Sequence, residues 1–565
     1  MGIFQHSFDE SRPINPPPAQ WLLLSPIALL IGLLSGLPVL ALSVSVGTDG
    51  IDARRLHQPP YNLTGKKIAI GQVEGGRPGV FGLDKLAVPN SPVSVAQVLQ
   101  LDGPAVADEY VDNHANHVAS VMISQDKQLV GVAPDATLFS AAIGPLTGEL
   151  SGQPQECMTT QQIALRNSGD VRAINFSFGE PLLNDPRPDA SLDGNALLTQ
   201  CVDWSSSIHD ALYVIAGNQG GGGIPLPTDN FNGINVAYST QIEGRFVKVD
   251  YANAGSDPAF NPRGTAAPES NVGPRRSINL VAPGDDIKML NPDGQEALSS
   301  GSSFAAPHVA ATVALLQEFG DRQIRAALWN LTAREPMVMK AVLLNAADKL
   351  MDDGNGQNLG MGRTILDESN RTWIESDAYT DPKVPLHSEL GTGHLNAFRA
   401  YEQFSGGQWQ PGQVAIRGWD YNTLSSPSGS VSSQSTGYSD YILEEPLQAG
   451  SYFAATLAWE RLVELADSNS IGLYDIGESF SNSGLNNLNL YLMPAEEEDT
   501  ANSIWSSISD VDSTEHIFYK IPRSGRYKLR VVYEQQVTPE APQTYALAWW
   551  GATETIQSIS GIGYE

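Results

Sequence analysis

Basic side chains are scarce in this sequence: 33 Lys and Arg stand against 63 Asp and Glu, a net charge of −30. A nucleic-acid partner needs a basic face to neutralise phosphates, so none is expected. Cysteine is scarcer still. Cys157 and Cys201 are the only two, too few to staple 565 residues, so stability must come from burying a core. They form a disulfide if the protein is exported, or stay as two buried apolar thiols; the sequence leaves both open. Neither stands beside a histidine at a metal-ligand spacing. The acid excess admits structural calcium, which the sequence does not place. Internal repeats are absent. With 41% hydrophobic and 17% charged residues the chain reads as folded, and its length calls for two or three domains.

Charge disappears altogether from Trp21 to Val46 (WLLLSPIALLIGLLSGLPVLALSVSV). Such a stretch is long enough to span a bilayer. Residues 1–46 therefore read as a polar leader followed by a signal or anchor segment, with small residues around Ala41-Leu42-Ser43. The leader lacks a basic start, and Arg54, Arg55, Lys66 and Lys67 lie beyond the segment, so charge does not set its orientation. Export to the periplasm or the exterior is expected, with membrane contact only through residues 21–46 if they are retained. Residues 47–63 read as a polar linker. About twenty residues separate the apolar segment from the first strand, too few for a folded pro-domain.

Beyond the linker the pattern is α/β. Short apolar runs at residues 68–73, 138–143, 173–177 and 211–215 read as parallel strands covered on both faces. Helical segments lie between them, which predicts right-handed crossovers in a doubly wound, mostly parallel sheet. The stretch Phe304 to Phe319 is apolar or small on nearly every side, as for a helix in the middle of a large domain. After about residue 406, Gly, Ser and Tyr rise and helical periodicity fades. Residues 452–459, 488–493, 527–533 and 545–550 read as strands of a β-sandwich or jelly-roll over 406–551, with a tail at 552–565.

Several residues carry chemistry. Ser303 opens the apolar helix in Gly301-Ser302-Ser303-Phe304-Ala305-Ala306-Pro307. There the helix dipole and free N–H groups favour charge developing on a substrate oxygen. A serine hydroxyl needs a base, and Asp112-Asn113-His114-Ala115-Asn116-His117 offers an imidazole at a helix start. Glu74 ends the first strand ahead of two glycines, where an acid can orient an imidazole. Asn218 ends the strand Val214-Ile215-Ala216-Gly217-Asn218, where an amide can donate to an oxyanion. Taken singly, a capping serine, a histidine pair, a loop acid and a Gly-Asn turn are all ordinary features.

Taken together and in this order, they resemble the subtilisin-like serine proteases, the subtilases. The likeness spans roughly residues 60–403 and includes Gly131-Val132-Ala133-Pro134, Asn175-Phe176-Ser177-Phe178-Gly179, Val281-Ala282-Pro283-Gly284 and Gly391-Thr392-Gly393-His394. The resemblance implies a peptidase domain over 64–405, with Ser303 as nucleophile, His114 as base, Glu74 as the acid, His117 as a structural histidine and Asn218 in the oxyanion hole. It implies that Ser177, Phe178 and Gly179 pair with an extended peptide substrate. No cofactor is required for that chemistry. The sequence departs from the family where Glu74 replaces Asp, where Ala115-Asn116 replaces Gly-Thr, and where Ser302 replaces Thr. The expected function is an exported serine endopeptidase acting on protein or peptide. A catalytically degenerate relative that binds peptides or surfaces is the other reading. Trp459, Tyr491, Trp549 and Trp550 would serve such binding, although aromatic residues on these strands are expected to fill the core.

Overall fold

Each of the four apolar runs in the first region forms a strand. The computed structural model describes residues 42–101, 103–144, 152–217, 226–242, 245–248, 271–272, 274–424, 437–535 and 542–553. The first sheet contains β1 (Ala69–Glu74), β2 (Gln97–Gln100), β3 (Thr137–Ala142), β4 (Val171–Phe176), β5 (Leu212–Ala216), β6 (Ile234–Ile242), β7 (Arg245–Lys248), β8 (Leu280–Pro283) and β9 (Ile365–Leu366). Its order is β9-β7-β6-β5-β4-β1-β3-β2, with β8 also paired to β6. Neighbours from β2 to β6 run parallel, whereas β7 is antiparallel to β6. This is an α/β architecture with a mixed, mainly parallel sheet.

Alternation along each strand divides the core in two. Ile70, Ala173 and Leu212 face one side, where they meet α1 (Asn113–Ile123), α4 (Ser302–Arg325), α5 (Pro336–Asn345) and α6 (Ala397–Ser405). Ala69, Ile174 and Tyr213 face the other, against α2 (Gln153–Ala164) and α3 (Leu197–His209). Helix α4 is the central one. Its Ala305, Ala306, Val309, Ala310 and Val313 are fully buried, which explains why its sequence has no polar face.

Cys157 on α2 and Cys201 on α3 form a disulfide. It lies in an apolar cluster with Trp204, Val463 and Tyr474.

Residues 47–63, expected as a linker, are part of the core instead. Ile51, Ala53, Leu56 and Leu63 are fully buried in the main cluster, together with Leu42 and Val46 from the end of the apolar segment. The segment is polar on average, but its few apolar residues all turn inward. The His57 ring bonds the Val132 carbonyl at 2.8 Å, and Ser45 Oγ lies 2.9 Å from His308 Nε2 on α4. The apolar stretch from 21 to 41 lies outside the described residues. Among the described residues no helix is long and apolar enough to cross a membrane.

The C-terminal region contains β10 (Gly412–Val414), β11 (Arg417–Leu424), β12 (Tyr438–Leu443), β13 (Tyr452–Trp459), β14 (Asn487–Pro494), β15 (Trp505–Ser507), β16 (Thr514–Lys520), β17 (Tyr527–Gln535) and β18 (Gln543–Gly551). They form a five-stranded sheet, β10-β12-β17-β14-β15, and a four-stranded sheet, β11-β18-β13-β16. Leu488, Leu490, Leu529 and Val531 of the first sheet share one apolar cluster with Phe453, Leu457, Trp459, Leu547 and Trp549 of the second. Trp459 and Trp549 thus fill the core. Trp550 is half-buried beneath the Arg399 and Arg417 guanidinium groups, and Tyr491 is also half-buried.

The inward packing of Leu42 and Val46 generates a prediction. A chain beginning at Val39 keeps both side chains and serves as the reference. One beginning at Gly47 loses both side chains from the core, about 1.5–3 kcal/mol each, and should melt several degrees lower by calorimetry. Equal melting temperatures would contradict this placement.

Candidate functional site

Parallel strands bring their carboxyl ends to one edge, and ligands bind there in open α/β sheets. In register, Glu74 at the end of β1 faces Ala142 on β3, and Val73 faces Phe176 on β4. Ser177 is the first residue past β4 and Gly217 the first past β5. Two helices start at the same edge. Helix α1 is capped by Asp112, whose carboxylate accepts from Ala115 N–H at 3.2 Å, and His114 is its second residue. Helix α4 begins after Gly301, whose φ of 148° suits glycine and lets the chain turn sharply into Ser302 and Ser303.

The acid and the imidazole meet. His114 Nδ1 lies 3.3 Å from Glu74 Oε2; the Glu74 side chain is 0% exposed and the His114 side chain 38% exposed. No aligned hydrogen bond reaches Glu74 Oε2, so the contact is ionic in geometry. Such bonds commonly tighten when substrate binds. Burial raises the Glu74 carboxyl above the ordinary range, opposed by His114 and by the Ser177 N–H. Burial also disfavours the His114 imidazolium, but the Glu74 carboxylate outweighs it and holds His114 above the usual imidazole value. The second histidine is occupied elsewhere. His117 Nε2 meets Asn291 Oδ1 at 2.7 Å, and burial depresses its basicity.

Ser303 is half-buried in the first turn of α4, where backbone N–H groups have no acceptor within the helix. Its hydroxyl donates to the Ser177 carbonyl at 3.3 Å. The His114 ring stands 5.4 Å from the ring of the next residue, Phe304.

Pro307 has a local consequence. It lies four residues after Ser303 inside α4 and has no N–H to give the Ser303 carbonyl. The Ser177 hydroxyl donates to that carbonyl instead, at 2.8 Å. Asn175 Nδ2 in turn donates to Ser177 Oγ at 2.9 Å and makes a long 3.5 Å contact to Glu74 Oε1. Ser302 Oγ donates to the Gly217 carbonyl at 2.8 Å, tying the start of α4 to the end of β5.

The structure thus gathers Glu74, His114, Ser177 and Ser303 at one edge. Asn218 lies outside the described residues. Phe178 is buried and stacks on Phe176, ring centroids 5.0 Å apart, while Gly179 is half-buried. Asn175 and Pro307 were not singled out from sequence, although both sit in the quoted motifs; the signal was a proline at four residues from a helix-opening serine. Among the described residues, no three His, Cys, Asp or Glu side chains converge as metal ligands, so no calcium ligand set is assigned.

An acid, an imidazole and a helix-opening serine thus stand at the carboxyl edge of a mainly parallel sheet, in the chain order expected of a subtilisin-like protein. Residues 43–362, more than half the chain, match the model of the Subtilase family, and the chain belongs to that family. It is 28% identical over 280 residues to Subtilisin NAT of Bacillus subtilis subsp. natto, covering 49% of this chain and 61% of that protein. An intracellular serine protease of Paenibacillus polymyxa is 26% identical over 255 residues, covering 45% of this chain and 67% of the relative. The match thus spans about three-fifths of the length of the subtilisin NAT sequence. The solved structure of prenylagaramide maturation protease PagA is similar at 22% identity and a TM-score of 0.39, over 62% of this chain and 97% of that one.

The Ser177–Ser303 bond is testable by a double-mutant cycle. Ser177→Ala leaves the Ser303 carbonyl without a donor, a loss of about 1–3 kcal/mol in stability. In a Pro307→Ala background the helix supplies its own N–H, and the same change should cost at least about 0.5 kcal/mol less. Strict additivity in denaturant titrations would contradict the assignment.

Proposed function

We propose that the protein is a serine endopeptidase in which Ser303 attacks the peptide carbonyl, His114 takes and returns the proton, and Glu74 orients and charges His114. The observation that carries this reading is the 3.3 Å contact between a fully buried Glu74 and a His114 whose side chain is 38% exposed. In the Michaelis complex the Ser303 hydroxyl turns from the Ser177 carbonyl toward the free imidazole nitrogen. Attack gives a tetrahedral intermediate, its oxyanion held by the Ser303 N–H at the start of α4 and by the Asn218 amide. Collapse to the acyl-enzyme expels the amine, protonated by His114, and water reverses the sequence. Glu74 does the work of the usual aspartate from the end of β1, where its carboxylate lies 3.3 Å from the His114 ring. No metal or organic cofactor takes part in these steps, and the substrate is a protein or peptide chain lying along residues 177–179.

The same reading makes the two C-terminal sheets a β-sandwich appended to the peptidase domain. It places the enzyme outside the cytoplasm. The Cys157–Cys201 disulfide supports that location, since such bonds persist in oxidising compartments. If the apolar segment is removed on export, the cut falls before Leu42, because Leu42 is packed in the core.

A fluorophosphonate probe is expected to label the wild type and not Ser303→Ala. Absence of labelling in both would refute the assignment. Glu74→Gln should lower kcat by about 10⁴, while Glu74→Asp retains measurable activity. The pH dependence is set by His114. The base must be neutral, and Glu74 raises its pKa, so kcat/KM should fall on the acid side with a midpoint above the ordinary histidine value of about 6.5. A midpoint below that value would contradict the Glu74–His114 coupling.

A further inference from the structure

The C-terminal region does not merely adjoin the peptidase domain; it grips one turn of it. Arg461, just past the end of β13, is buried and reaches Asp203 on α3 through Nη2 at 2.5 Å and Nε at 3.0 Å. Asp203 also accepts from the backbone N–H groups of Phe231 at 3.0 Å and Asn232 at 2.9 Å. The Arg461 backbone pairs with the Asn232 side chain in both directions, N–H to Oδ1 at 2.9 Å and Nδ2 to the Arg461 carbonyl at 3.1 Å. Its guanidinium lies over the Phe231 ring, 4.4 Å from the centroid. Ser513, just before β16, donates to the Phe231 carbonyl at 2.8 Å, and Lys340 of α5 donates to the same oxygen at 2.6 Å.

At its other end this turn meets the substrate strand. Leu226 and Glu180 exchange backbone hydrogen bonds, Glu180 N–H to the Leu226 carbonyl at 2.9 Å and Leu226 N–H to the Glu180 carbonyl at 3.2 Å. Glu180 comes directly after Ser177-Phe178-Gly179. Between the two anchor points, Asn230 fixes the turn internally. Its Oδ1 accepts from Gly233 N–H at 2.9 Å and its Nδ2 donates to Asn235 Oδ1 at 2.8 Å. Residues 226–233 are therefore a short brace held at both ends and within. One end is held by the strand that would pair with substrate, the other by a buried ion pair from a residue 258 positions away in sequence from its partner.

We infer that the C-terminal region is a positioning element for substrate recognition: Arg461 and Ser513, through the 226–233 turn, set the place of residues 177–180. Arg461 acts through other residues and touches no reacting atom. The inference rests on the peptidase reading for its kinetic consequence, but not for the coupling itself. Removing the grip should loosen the strand that holds an extended peptide while leaving Glu74, His114 and Ser303 in place. The loss then grows with the number of substrate residues that lie along 177–180.

The test uses the full chain. Replacing Arg461→Met together with Asp203→Asn removes the ion pair without stranding a buried charge, and the Asn oxygen can still accept from the Phe231 and Asn232 N–H groups. Two readouts are expected. Hydrogen exchange at the Glu180 and Leu226 amides should quicken relative to wild type, with β1 unchanged. KM for an extended peptide substrate should rise roughly tenfold with kcat nearly constant, while kcat/KM for a single-residue ester and the rate of fluorophosphonate labelling stay within about twofold. Ser513→Ala leaves Lys340 on the Phe231 carbonyl and should shift the same length preference by about two- to threefold. Unchanged exchange at Glu180 and Leu226, or equal changes for the long peptide and the single-residue ester, would overturn the inference. Failure of wild type to take the fluorophosphonate would instead sink the peptidase reading, and the exchange arm would still decide the coupling.

Discussion

Glu74 is a carboxylate with no exposure to water, and its main compensation is the imidazole of His114. Burying a charge is costly unless a partner and hydrogen bonds stand ready. The surrounding architecture supplies them. Strand β1 ends at Glu74, β4 ends where the Ser177 N–H reaches the carboxyl, and Asp112 starts α1 so that His114 stands one residue inside it. Moving any of these three elements by one residue would leave the acid buried and unpaired.

Ser303 is held by a different logic. Its helix is almost wholly apolar and is pinned by packing against β4, β5 and β6. At its start, however, polar contacts take over. Pro307 removes a helical hydrogen bond, and the gap is closed from β4 by Ser177. Ser302 closes onto β5 through Gly217. The Ser303 carbonyl is thus bonded to the residue that follows β4, and its neighbour Ser302 to the residue that follows β5.

Much of this was legible in the sequence. Parallel strands show as short apolar runs because both faces are covered, and the predicted runs lie within a residue or two of β1, β3, β4 and β5. The strand 452–459 coincides with β13. Motif order points to Glu74, His114 and Ser303, which the fold brings to one sheet edge. Other features were not legible for physical reasons. The stretch 47–63 is polar on average, and only the fold reveals that Ile51, Leu56 and Leu63 all point inward. Strand β16 escaped because Glu515 and His516 are buried within it, Glu515 through Ser507 and Ser509 and His516 through Thr456. Whether Cys157 and Cys201 pair depends on α2 lying beside α3, which no local pattern encodes. The Arg461–Asp203 bond is likewise invisible until both regions are folded.

The central claim is that the Glu74 carboxylate, against the opposing effect of burial, sets the proton affinity of His114. Titration of the His114 ring by NMR in wild type and in Glu74→Gln tests it most directly. The account predicts a midpoint above about 6.5 in wild type and a lower one in the variant, where Asp112 alone is left to oppose burial. The same midpoint in both proteins would contradict it.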